Sequence, residues 1–208
     1  MVGGMSKRLR RLIIVVFAVS NLGGDIAVAA DTGGAEATAT PPVELIGTPP
    51  PFADAVSWSM GLFEQAGFEL PPLRYVFHGD DPEACAGRPG VHHAHDGESV
   101  IEICTSEMSI ATQIMILHET AHAWVDRTLT EDRKATFQRL RGWTHWRNYD
   151  AVAWHENGTE QAAEIIVWGL IDRPLAMIRI DQNSCEELDA GYRVLTGEAP
   201  LHGFRDAC

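Results

Sequence analysis

The stretch ending near Arg127 constrains this chain more than any other. Met108, Ala111, Ile114, Met115, Leu117, Ala121, Trp124 and Val125 recur at three- and four-residue spacing, the pattern of a helix with one broad apolar face. The helix is expected to start near Thr105 or Ser106, either of which can cap it, and to run to about Arg127. Inside it stands His118-Glu119-Thr120-Ala121-His122. Four residues at about 100° each turn through about 400°, so both imidazoles share one face about 6 Å apart along the axis and can reach a single ion. Glu119 sits one residue further round, where its carboxylate can face a water activated by that ion instead of ligating it. Hydrolysis needs this division of labour: zinc lowers the water's pKa toward ~7, and the carboxylate takes the proton and passes it to the leaving amine. The plainer alternative is a pair of surface or core histidines that happen to flank a glutamate.

A catalytic zinc takes three protein ligands and keeps one position open. The next candidate helix, Thr159 to Ile171, is ended by Arg173-Pro174 and carries Glu160 and Glu164 one turn apart, beside Ala162, Ala163 and the run Ile165-Ile166-Val167. Two acids on so apolar a helix call for a cation. The alternative is that both face solvent, with Glu160 favoured simply by its place in the first turn. H-E-x-x-H on one helix followed by E-x-x-x-E on a later one resembles the gluzincin branch of the zincin-like metallopeptidases, in its small, minimal versions. The resemblance implies Zn2+ held by His118, His122 and Glu160, with Glu164 supporting the ring of His118 and Glu119 as the catalytic general base. It implies a zincin-like α+β fold, with a small N-terminal β-sheet packed on the H-E-x-x-H helix and further helices after it, and a peptide or protein substrate. It covers about residues 105–172. The metzincin pattern H-E-x-x-H-x-x-G-x-x-H is not continued after His122. A non-catalytic, zinc-stabilised extracellular binding module is the alternative function, since it would keep the ligands without needing Glu119.

Such enzymes often set a His or Tyr opposite the metal. His145, Tyr149, His155 and Tyr192 qualify by type, and His155, with His145 behind it, is the catalytic candidate because it lies just before Glu160. Trp143, Trp146 and Trp154 are suited either to flooring a cleft or to packing the loop that holds them. His92-His93-x-His95, followed by Asp96-Gly97 between two expected strands, reads as a hairpin with exposed imidazoles rather than as a second metal site.

The remaining sequence frames this centre. Lys7 to Arg11, the apolar run Leu12 to Val19 and Ala27-Val28-Ala29-Ala30 read as a secretory signal over residues 1–30, cut at Ala29 or Ala30. Its apolar run falls short of the ~20 residues that span a bilayer, so no stable membrane insertion is expected after cleavage. Residues 31–51, rich in Ala, Thr, Gly and Pro, read as a linker, and 52–208 as one domain. Phe52, Val56, Met60 and Phe63 mark a first helix ending at Gly67, and Leu73 to Phe77 and Val100 to Ile103 mark strands. Gly79, Gly87, Pro89, Gly90 and Gly97 leave room for one or two short edge strands between them. Further helices are expected from Thr130 to the stop at Gly142 and from Cys185 to Leu195 before Gly197. Helices with one small sheet make an α+β chain. Cys85, Cys104, Cys185 and Cys208, in an exported protein, suggest disulfides between nearest neighbours. Beyond residue 30 there are 12 basic and 28 acidic residues, a net charge of −16, which disfavours nucleic acid and anionic lipid as partners.

Overall fold

The computed structural model describes residues 43–95, 97–173, 180, 183–203 and 208; the signal segment and most of the linker lie outside them. Among the described residues the chain is α+β. Strands β1 (Val43–Ile46), β2 (Leu73–Phe77), β3 (Gly90–His95) and β4 (Glu98–Ile103) form one sheet in the order β1-β2-β4-β3. Both β1 and β4 run parallel to β2, and β3 closes an antiparallel hairpin with β4 in the register His92 to Ile101. Strand β1 falls within the segment read as linker. Three of its four residues are exposed, so it shows no alternation along the sequence. What holds it is the ladder to β2 and the guanidinium of Arg74, which bridges Glu44 at 2.7 Å and Glu98 at 3.1 Å across three strands. Helix α1 (Pro50–Gln65) also begins inside that segment, since proline is tolerated in a first helical turn.

Helix α2 (Ile110–Thr128) starts later than Thr105 or Ser106. The backbone N–H and hydroxyl of Ser106 are both engaged by Asp80, and Ser109 caps the helix instead, accepting from the N–H of Thr112. Helices α3 (Glu131–Arg141) and α5 (Cys185–Thr196) follow their sequence signals closely. Thr130 and Ser184 cap them, and Gly142 and Gly197 end them.

Helix α4 (Gly158–Leu170) is buried at every position, so it is a central helix rather than an amphipathic surface one. It packs against α2 on one side and α5 on another, and Gly169 admits the ring of Tyr192: a Cβ there would lie 2.0 Å from that ring. Tyr75, Ile101 and Ile103 of the sheet, Phe63 of α1, Leu117 and Val125 of α2 and Ile165 of α4 share one buried cluster. Behind His118 and His122, Thr120 holds three elements together through its buried hydroxyl, which donates to the Ile116 carbonyl and meets Ser59 at 3.1 Å and Tyr75 at 2.9 Å. The two expected disulfides are present, Cys85 to Cys104 and Cys185 to Cys208, each closing a short loop worth about 3 kcal/mol. No helix among the described residues is long and apolar enough to cross a membrane.

Candidate metal centre

His118 and His122 leave α2 from successive turns and face the first turn of α4. There Glu160 Oε2 lies 3.0 Å from His118 Nε2 and 3.1 Å from His122 Nε2. A tetrahedral ion with bonds of ~2 Å separates its donor atoms by roughly 3.3 Å, so two nitrogens and one carboxylate oxygen stand where such an ion needs them. All three donor atoms lie within 4.8 Å of one another, and the residues are 3%, 6% and 4% exposed. Two imidazoles and a carboxylate form a donor set suited to a divalent transition metal. The far sides of the rings are also met. His118 Nδ1 is 3.2 Å from Glu164 Oε1, and His122 Nδ1 is 3.3 Å from the hydroxyl of Thr159. Ring contacts of this kind orient liganding histidines.

Charge balance also points to a cation. Burial opposes a charge on His118, but the hydrogen bonds to Glu160 and Glu164 and the nearby Glu119 outweigh it and push the imidazole up to about 10. Burial likewise disfavours an ionised Glu160, yet its bonds to the two imidazoles hold the carboxyl well below the usual carboxylate range. A buried pair of acids thus draws in a proton, and a metal ion would answer the same charge. Glu160's other oxygen, Oε1, accepts from the Tyr149 hydroxyl at 2.5 Å. Burial, reinforced by the charge of Glu160, raises the pKa of that hydroxyl and keeps it a donor.

The centre opens into a cleft of about 600 Å³, walled by α2, by β3 and by the segment joining α3 to α4. Close approach of β3 to α2 requires Gly90, where a Cβ would lie 2.2 Å from the Met115 sulfur. Glu119 lines the cleft and is 8% exposed. Of the four residues suited by type to face the metal, Tyr149 lines the cleft. His155, the sequence candidate, does not: it sits in a single 3-10 turn, Trp154–Glu156, where its carbonyl accepts from Gln161. His145 likewise offers its carbonyl to Gly158, and Tyr192 is buried against Gly169. Among the three tryptophans, Trp154 reaches the cleft and stacks over His118 at 5.8 Å. Trp146 packs on Phe137 instead.

The hairpin of β3 and β4 forms as expected, but His92 departs from the expectation of exposed imidazoles. The His92 side chain is 3% exposed, lies in the cleft wall and stacks on His122, while His93 stays half-exposed beside Glu102. Asp126 and Arg147 were not singled out by sequence. Asp126 was legible in principle, because 118, 122 and 126 repeat at four-residue spacing on one helix face. No such signal marks Arg147. Comparisons with protein-family models, with characterised proteins and with solved structures find no match to this chain.

Proposed function

We propose that this chain is an exported zinc-dependent peptidase of the zincin-like, gluzincin type. The observation that carries the reading is the convergence of His118, His122 and Glu160 on one point at the floor of an open cleft, with Glu119 in the same wall. Bound at that point, zinc supplies Lewis acidity and water activation at neutral pH. His118 and His122 offer Nε2 and Glu160 offers Oε2, while Glu164 fixes the ring of His118 through Nδ1. Glu119 accepts the proton of the attacking water on its carboxylate and delivers it to the leaving amine nitrogen. Tyr149, rather than His155, has its polar atom at the centre and can turn its O–H toward the carbonyl oxygen of a bound peptide. Trp154 shields the His118 ring from water. Export is supported by the two disulfides and by the N-terminal signal pattern.

The test is Glu119→Gln. Elemental analysis should return one zinc per chain in both proteins, and digestion of a broad peptide library should stop in the variant. Full activity in the variant removes Glu119 from the chemistry. Zinc binding without cleavage by the wild type would instead favour a zinc-stabilised binding module.

A further inference from the structure

We propose that Arg147 makes the cleft select peptides carrying a carboxylate beside the bond attacked. The inference rests on the peptidase reading of the cleft and names its substrate class. Three observations carry it.

The first is placement. Arg147 lines the cleft with Tyr149 and Glu160, and its side chain is 47% exposed. Its Nη2 donates to both oxygens of Asp126, at 2.9 Å each, so the guanidinium is held from one corner. A guanidinium has five N–H donors, and the three on Nε and Nη1 suffice for a bidentate grip on a second carboxylate. Asp126, 17% exposed and one turn beyond His122, ties that fork to the helix bearing the metal ligands.

The second is charge. In a chain with 29 acidic and 16 basic residues, the cleft gathers two arginines and four histidines against three acids. One of those acids, Glu160, faces the two liganding imidazoles, and a second, Asp126, is answered by Arg147. The two arginines against three acids give the lining a formal charge of −1, and a divalent ion held at the proposed centre would make it +1, a pull on an anion that a low-dielectric wall strengthens.

The third is an unanswered polar atom. Among the described residues His92 Nε2, buried in the same wall, has no hydrogen-bond partner, while its Nδ1 lies 3.7 Å from Asp126. Buried polar atoms are nearly always paired, so this one suits a polar ligand group in the cleft.

The carboxylate could be an acidic side chain or the peptide's own C-terminus. The alternative role for Arg147 is a latch that ties the segment between α3 and α4 to α2. Alanine-based hexapeptides with a single glutamate or glutamine walked through each position, and with free or amidated C-termini, separate these cases. Their affinities are measured by titration calorimetry on the zinc-loaded Glu119→Gln protein, and their cleavage on the wild type. At one position the carboxylate form should bind about tenfold tighter than its amide, the scale of a charged hydrogen-bonded pair. An effect of glutamate identifies a side-chain subsite, and an effect of amidation identifies a C-terminal one. Arg147→Gln should reduce the ratio to about twofold or less, through KM rather than kcat. Asp126→Asn removes the ion pair of the latch but keeps an oxygen to which Nη2 can donate, so the guanidinium stays placed and the preference should persist there, and this variant decides the matter if Arg147→Gln fails to fold. Loss of the preference in Asp126→Asn, its survival in a folded Arg147→Gln, or cleavage with no carboxylate preference at all would overturn the proposal while leaving the peptidase reading intact. Preferential binding without cleavage of any peptide would uphold the role of Arg147 and defeat the peptidase reading.

Discussion

Glu160 and Glu164 are one helical turn apart on α4, yet they meet opposite nitrogens of one imidazole. Glu160 Oε2 faces His118 Nε2 at 3.0 Å, and Glu164 Oε1 faces His118 Nδ1 at 3.2 Å. Glu160 Oε2 also lies 3.1 Å from His122 Nε2, which makes it the acid of the three-donor group in the proposed centre. Zinc titration should find binding nearly abolished in Glu160→Ala and weakened about 10- to 100-fold in Glu164→Ala, the usual cost of losing a partner of a liganding histidine. The reverse ranking would mean that Glu164 is the ligand. Thr120 allows a second prediction at this scale. Its hydroxyl is the hydrogen-bond partner of the buried Ser59 and Tyr75 hydroxyls, so Thr120→Val leaves polar groups stranded, whereas Tyr75→Phe removes one together with its need. Urea unfolding should show Thr120→Val losing roughly 1–3 kcal/mol and Tyr75→Phe losing less.

Among the helices, α4 depends most on its neighbours. Its small residues let other elements come close, and Gly169 is the sharpest case because Tyr192 of α5 occupies the space of its missing side chain. Gly169→Ala should cost roughly 1–3 kcal/mol by overpacking. Gly61 of α1 is the contrast: nothing lies within 4 Å of where its Cβ would stand, so Gly61→Ala should stabilise by about 0.5–1 kcal/mol through helix propensity alone. Thermal melting of the two variants, expected to move in opposite directions, checks both. Elements whose limits are set locally were legible in the sequence. Thr130 and Gly142 bracket α3 as read, and α5 starts at Cys185 and stops at Gly197 as read. The start of α2 was not, because Asp80, distant in sequence, takes up Ser106 and leaves the cap to Ser109. Strand β1 was hidden for a related reason: its partners are β2 and Arg74, and its own residues are mostly exposed.

For the molecule as a whole, the three donor groups join α2 to α4 within the core, so a metal ion bound at the proposed centre would couple its binding to folding. Zinc at 100 times its Kd should stabilise the protein by ~2.7 kcal/mol, which for a domain of this size raises Tm by roughly 5–10 °C. Differential scanning calorimetry with and without chelator checks this, and Glu160→Ala should abolish the shift. An unchanged Tm in the wild type would mean that the three donor groups do not take up the ion. The disulfides act separately. Both span local loops, and neither bridges the two helices that carry His118, His122 and Glu160.

What can be read along the chain alone is local: the apolar face of α2, the i, i+4 histidines with Glu119 between them, the cap of α3, the stops of α3 and α5, and the nearest-neighbour cysteine loops. Each follows from backbone geometry and chain entropy over a few turns, which residue types and spacing record directly. Only the tertiary structure decided which polar groups meet. Packing α4 against α2 sets Glu160 on both Nε2 atoms and Glu164 behind His118, and packing β3 against α2 stacks His92 on His122. Docking of the α3–α4 segment brings Tyr149 and Arg147 to the centre and leaves His155 outside the cleft, although His155 is nearer to Glu160 along the chain. These contacts depend on how separate elements pack, and the spacing along one segment carries no record of them.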